Sequence, residues 1–304
     1  MERKKNWGLA TVTGSYVLWG LLPAFWALLT QVNAVFTLAQ RIVWSMVFMG
    51  LYLLLTHGLG EIRAAMRDRQ TLWKTFLAGA LITFNWGLYI YSVSSGQLLE
   101  SSMGYFIEPV LVVLLGVVAF RERPTKGETV TLAFAVAGIC WLVARTGHIP
   151  MLALLIALPF AVYGAVKKSL NLTAQASLFL ETLLMTPFAL GFSLWWGVRC
   201  GGMEPVLNGA SFWLLPACGL VTSIPLLLFN VGVKIVPYYF TGILMYINPT
   251  LQFLMGLFYF KEELVKDELI AFLIIWVGIL FTLWEKIRII RRERKKELAE
   301  KLGL

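Results

Sequence analysis

Charge is what this chain has least of. Only 14% of its 304 residues are Asp, Glu, Lys or Arg, against about 25% in an ordinary soluble domain. That scarcity excludes a soluble globular enzyme. It also excludes a disordered regulator, which needs low hydrophobicity and high charge. Histidine is rarer still: His57 and His148 are the two, each at the end of an apolar run. A His-based metal site or catalytic dyad therefore lacks its residues. The three cysteines, Cys140, Cys200 and Cys218, are odd in number and have no CxxC spacing, so neither a disulfide framework nor a thiolate metal site is expected. HExxH, the Walker lysine loop, GxSxG and GxGxxG are all missing. No catalytic group, metal or cofactor is expected. Without an ATPase module, any pumping must draw on an ion gradient, on exchange or on a separate partner.

Apolar length is what the chain has instead. It is 59% hydrophobic, with a mean hydropathy of +0.75. A membrane-spanning helix takes about 20 residues. By that rule the apolar runs place ten spans at about 7–29, 36–56, 72–94, 98–120, 128–145, 149–166, 177–197, 211–233, 236–260 and 267–285. The expected fold class is an all-α polytopic membrane protein with ten transmembrane helices. The first run, after Arg3, Lys4 and Lys5, is too long for a signal-peptide core and has no small-x-small cleavage site, so it reads as a retained span.

The net charge of +9 is a statement about topology. Residues 286–304 carry eight Lys/Arg against three Glu. A basic chain can point to nucleic acid, but this run directly follows an apolar span, which makes anionic lipid of the inner leaflet its expected partner. With the N-terminus in the cytoplasm, 21 of the 26 Lys/Arg fall inside and four fall outside; Arg41 lies within the second span. The positive-inside rule then puts both termini in the cytoplasm of a cell inner-membrane protein.

A repeat appears at a shift of 140 residues. Tyr105–Arg123 (YFIEPVLVVLLGVVAFRER) aligns with Met245–Glu263 (MYINPTLQFLMGLFYFKEE), and Gly79 with Gly219, Lys126 with Lys266, Glu128 with Glu268 and Gly138 with Gly278 follow in the same register. The chain divides into a first five-helix repeat, 1–145, a second, 149–290, and a basic cytoplasmic tail, 291–304. Five is odd, so the second half would insert upside down. Inverted repeats are the architecture of alternating-access transporters, with the site at the repeat interface near the midplane.

The polar residues inside spans are the candidates for function. Glu108 sits about ten residues into the fourth span, roughly 15 Å deep at 1.5 Å per residue. An ionisable group there costs about 3 kcal/mol or more unless it is neutral, paired or wet. It reads as a proton site, as a counter-charge for a cationic solute, or as a protonated acid bonded to a neighbouring helix. Pro109 and Pro249 follow Glu108 and Asn248 at equivalent repeat positions, and are expected to kink their helices beside a cavity. Asn85, Trp86, Tyr105, Tyr246 and Asn248 are expected to face the solute with Glu108. Arg41 and its repeat equivalent Glu181 are expected near opposite mouths, gating or steering charge, with Glu100 as a further candidate partner for Arg41. Snorkelling to headgroups is the plain alternative for Arg41.

The residues also carry a family resemblance, in YVLWGLLPAFWALL (16–29), QRIVWS (40–45), NWGLYIYSV (85–93), LLESSMGYFIEPVL (98–111), FRERP (120–124), AVYGAVKK (161–168), LETLLMTP (180–187), SIPLLLFN (223–230) and YINPT (246–250). In order and spacing the chain resembles the RarD-type EamA transporters of the drug/metabolite transporter superfamily. The resemblance implies ten spans in two EamA repeats, cytoplasmic termini, and export of small metabolites or drugs. It also implies cavity or gating roles for Arg41, Asn85, Trp86, Tyr105 and Glu181. Two departures stand out: Gln40 where members usually have His, and Glu108 where they usually have Asn. Proton coupling through Glu108 would thus be peculiar to this chain. The expected function is a secondary transporter, a permease moving a small amphipathic metabolite or drug outward (efflux). A lipid flippase or scramblase and a non-transporting membrane receptor are the alternatives, and a homodimer is a further partnership to test.

Overall fold

The computed structural model describes residues 2–94, 98–147, 151–199, 209, 211–261 and 266–302. Among these the regular structure is helical: α1 (Glu2–Trp26), α2 (Ala34–Leu55), α3 (Leu59–Arg67), α4 (Arg69–Ser94), α5 (Leu98–Phe120), α6 (Lys126–Thr146), α7 (Met151–Ser169), α8 (Ala174–Arg199), α9 (Ser211–Val233), α10 (Tyr238–Leu244), α11 (Ile247–Met255) and α12 (Lys266–Leu302). Seven helical stretches are long and apolar enough to cross a membrane, and shorter apolar stretches lie at Ile107–Phe120 and Leu269–Thr282. The chain is a multi-pass membrane protein.

Local sequence chemistry starts and stops these helices. Asn33 Oδ1 accepts the Val35 and Phe36 amides, both at 3.0 Å, to open α2. Thr125 and Glu128 form a capping box at the start of α6, and Gly147 ends that helix in the left-handed region, with φ 76°. Arg121 and Lys261, one repeat apart, also turn left-handed, at φ 52° and 55°, just past Phe120 and Phe260.

Two features differ from the expectation. α3 is an extra short helix between the second and third spans. It is tied down by Glu61, which accepts the Thr173 amide (2.6 Å) and hydroxyl (2.7 Å), and it buries Ile62 and Ala65. The ninth span is interrupted: α10 and α11 meet at Met245–Tyr246 and the run ends in a π turn, Gly256–Phe260. Pro249 has no N–H to give the Met245 carbonyl, which the Asn248 amide takes instead at 3.0 Å. α5, by contrast, runs on through Pro109 without a break. The last helix continues past the membrane run to Leu302, so the basic tail is helical.

α7 is the most enclosed span. It packs on α4 and α5; α1 packs on α9 and α11, α2 on α8 and α9, α10 on α5, and α6 on α12. Small residues make these approaches close, as bilayer packing favours. A Cβ on Gly219 would lie 2.6 Å from the Trp44 backbone carbon, and one on Gly278 would lie 2.9 Å from the Thr131 Cα. The outer faces carry bare apolar side chains such as Leu55, Val118, Leu194, Val198 and Phe258. Gly219→Ala should therefore push α9 off α2 and destabilise the protein by about 1–3 kcal/mol. Gly191→Ala, which meets open space, should be neutral. Thermal unfolding of both variants in detergent checks the pair, and equal midpoints would refute the close α2–α9 contact.

Candidate functional site

A central cavity lies where α2, α4, α8 and α9 meet, with Arg41, Trp86, Glu181 and Thr222 in its lining. It leaves about 20 Å³ for the centres of water molecules, room for about one water. A metabolite would fit only if the helices part. Its lining comes from spans two, three, seven and eight. Gly79 and Gly219 bring α4 and α9 close onto α8 and α2 beside it.

Arg41 projects from α2 between two indoles. Its guanidinium carbon lies 4.4 Å from the Trp26 ring centre and 4.2 Å from that of Trp86. Its Nε–H donates to Thr222 Oγ1 at 3.0 Å. Glu181 lines the same cavity, but its carboxylate turns to α7. Lys167 Nζ donates to Glu181 Oε2 at 2.7 Å and to Ser177 Oγ at 2.6 Å. The Tyr163 hydroxyl lies 3.3 Å from Glu181 Oε1 and 3.4 Å from Asn230 Oδ1. A phenol has one proton to give, and turning the Asn230 amide by 180° lets its otherwise unbonded Nδ2 donate to the Tyr163 oxygen. The phenol proton then goes to Glu181. The side chains of Lys167 and Glu181 are 0% and 3% exposed, so this is a fully enclosed ion pair.

The other candidates are dispersed around this centre. Asn85 Nδ2 donates to the Ile156 carbonyl at 2.7 Å and ties α4 to α7. Tyr105 meets Tyr89 edge-on, with ring centres 6.0 Å apart. Glu108 is buried, with Tyr16, Tyr105 and Tyr238 in its surroundings. Asn248 Oδ1 accepts from Gln252 Nε2 at 2.8 Å within its own helix. Tyr246 sits in an apolar cluster with Ile107, Val110 and Ala271. Glu100 lies outside the described side chains. Of the eight polar candidates, the structure brings Arg41, Trp86 and Glu181 to one cavity.

A polar clasp closes one end of the helix bundle. Glu122 accepts the Tyr238 and Tyr239 amides at 2.8 and 2.9 Å, capping α10, and stands 3.5 Å from Lys168. Lys168 donates to the Val233 and Val236 carbonyls at 3.1 and 2.8 Å. Lys234, in the turn after α9, donates to the Leu172 carbonyl. Burial, and then the nearby Lys167 charge, lower its ammonium pKa to about 8.

Sequence reasoning missed Lys167, Trp26 and Thr222. Lys167 was counted among the cytoplasmic loop cations because it lies just past the apolar run. The signal that could have found it is Glu181 itself: an acid inside a span needs a partner.

The chain is thus a helical membrane protein with apolar outer faces and a small cavity that Arg41, Trp86 and Glu181 help to line. The EamA-like transporter family model matches residues 6–144. RarD of Streptomyces exfoliatus is 36% identical over 97% of this chain and 94% of its own. The uncharacterized transporter YojE of Bacillus subtilis is 38% identical, over 94% and 96%, and RarD of Escherichia coli 30%, over 95% and 97%. One crystal structure superposes with a TM-score of 0.68 at 17% identity, covering 95% of this chain and 99% of that one, which bears on the fold alone. This chain belongs to the RarD-type EamA transporters of the drug/metabolite superfamily, and it is not an enzyme.

The Lys167–Glu181 pair can be tested without a substrate. Glu181→Gln strands a buried ammonium and should cost about 3–5 kcal/mol. The double variant Lys167→Met with Glu181→Leu should recover most of that loss. Thermal melts in detergent decide the matter, and a double variant no better than the single one would refute the coupling.

Proposed function

We propose that the protein is a secondary transporter that exports a small amphipathic metabolite or drug by alternating access around the Arg41–Glu181 cavity. On this reading ten spans form two inverted five-helix repeats, with both termini on the cytoplasmic side of the inner membrane. One observation carries it. Ten of the twelve residues lining the cavity form five pairs 140 residues apart: Arg41 with Glu181, Ile42 with Thr182, Ser45 with Met185, Ile82 with Thr222 and Trp86 with Leu226. A cavity walled by equivalent residues of both halves lies on the axis relating them, where inverted-repeat transporters hold their solute.

The helix contacts support the same symmetry. A Cβ on Gly79 would meet the Met185 side chain and the Glu181 carbonyl, while one on its equivalent Gly219 would meet Trp44 and Ser45. Gly138 faces Ala271 and Ile275, and its equivalent Gly278 faces Thr131 and Phe134. The clasps agree with the charge count. Glu61, Glu122, Lys168, Thr173 and Lys234 belong to segments assigned to the cytoplasm, and they bond among themselves and their neighbours. Arg145, assigned outside, pairs at 2.9 Å with Asp267 at the start of the tenth span.

Glu108, buried near three tyrosines, is the proposed proton site, and Asn85, Tyr105, Tyr246 and Asn248 line the path when the helices part. The basic tail rests on anionic inner-leaflet lipid.

Proteoliposomes loaded with a broad metabolite panel test the reading. Saturable efflux of at least one solute is expected, faster under a pH gradient. Glu108→Gln should flatten the pH dependence while leaving some exchange. Lipid movement without solute flux would overturn the reading in favour of a flippase.

A further inference from the structure

Arg41 is held firmly, yet among the described residues no carboxylate pairs with it. The Trp26 and Trp86 rings lie 4.4 and 4.2 Å from the guanidinium carbon, and Thr222 takes the Nε–H. The described ion pairs join Arg145 to Asp267, Lys167 to Glu181 and Lys168 to Glu122. None of them includes Arg41, and no described hydrogen bond uses its η nitrogens. The other charge in the cavity wall is already spent: Glu181 is neutralised by Lys167 at 2.7 Å and bonded by Tyr163. Arg41 is thus the cation in the cavity wall that has no carboxylate of its own among the described residues, in a place where lipid cannot supply a counter-ion.

The geometry also limits what can answer that charge. A guanidinium held beside two indoles and bonded at Nε keeps its η nitrogens, a planar fork of donors that matches a carboxylate in a two-point contact. The same indoles offer a flat apolar surface beside the fork. An ammonium-bearing solute would meet like charge there, and a neutral one would leave Arg41 without a carboxylate.

We infer that the solute is a small monoanion, a carboxylate on an apolar body, whose head docks on the Arg41 fork beside Trp26 and Trp86. This rests on the transporter reading above and narrows it to a substrate class.

The probes are three matched compounds: 3-phenylpropionate, 3-phenylpropionamide and 3-phenylpropylamine. Binding to the purified full chain in detergent is read at neutral pH by tryptophan fluorescence and by thermal shift. The carboxylate should bind at least tenfold more tightly than either analogue. Arg41→Lys keeps the charge but loses the fork, and should lose tenfold or more; Arg41→Gln should abolish the preference. The unliganded melting midpoint of Arg41→Lys must match wild type for the comparison to count, and Trp86→Leu, which removes one of the two indoles, should weaken carboxylate binding independently. An amide or amine bound as tightly as the carboxylate, or no carboxylate binding at all, overturns the inference. Flux separates the two readings. An amine or neutral solute that crosses proteoliposomes while carboxylates neither bind nor move sinks the anion and leaves the transporter. Carboxylate that binds through Arg41 but never crosses leaves the site and sinks the transport.

Discussion

A bilayer core offers a polar side chain no hydrogen bonds, and that constraint organises the interior of this protein. Ser45 on α2 donates to the Gly219 carbonyl on α9 at 3.2 Å. Thr131 on α6 lies 2.7 Å from the Gly278 carbonyl and 2.6 Å from the Thr282 hydroxyl on α12. Asn85 joins α4 to α7, and Lys167 and Glu181 join α7 to α8. Each bond crosses from one helix to another. Between helices with apolar outer faces there is little hydrophobic drive to associate, so these bonds and the glycine contacts set the register. The Ser45–Gly219 bond lies beside the cavity, while the Thr131 bonds join the α6–α12 pair away from it.

The two halves share a sequence pattern but not a shape. Arg121 and Lys261 end their helices in the same left-handed turn, as repeated sequence should. Yet α5 is continuous through Pro109, while the chain breaks before Pro249. Gly242 of α10 comes close to the Pro109 carbonyl of α5, whereas α11, which carries Pro249, packs on α1. On the inverted-repeat reading, one motif held in two conformations is what an alternating cycle requires: the halves exchange shapes rather than both deforming.

The sequence made the large elements legible because a span needs an uninterrupted apolar run, and such runs survive any detail of packing. It was silent on α3, whose Ile62 and Ala65 are too few to register as a period. The break at Met245–Tyr246 was half legible, since Pro249 marked it but the equivalent Pro109 did not behave alike. At the site, Arg41, Trp86 and Glu181 could be read as oddities inside lipid. Their convergence could not, because it depends on which helices touch, and that follows from Gly79 and Gly219 rather than from the charged residues. Lys167 escaped for a subtler reason: a lysine at a span end is ordinarily a topology marker, and only its burial reveals the ion pair.

The spacing of the ion pairs along the chain bears on how the protein is made. Lys167 and Glu181 are 14 residues apart, on consecutive helices α7 and α8. They can enter the membrane as one hairpin whose charges already cancel, sparing the translocation machinery a bare ammonium and a bare carboxylate. Glu122 must wait for an amide 116 residues downstream, about 6–23 s at typical synthesis rates. Its clasp is therefore a late event, made after the second half has begun to fold against the first. The chain thus neutralises the Lys167–Glu181 pair locally and keeps a half-buried acid, Glu122, to fasten distant segments together at the end.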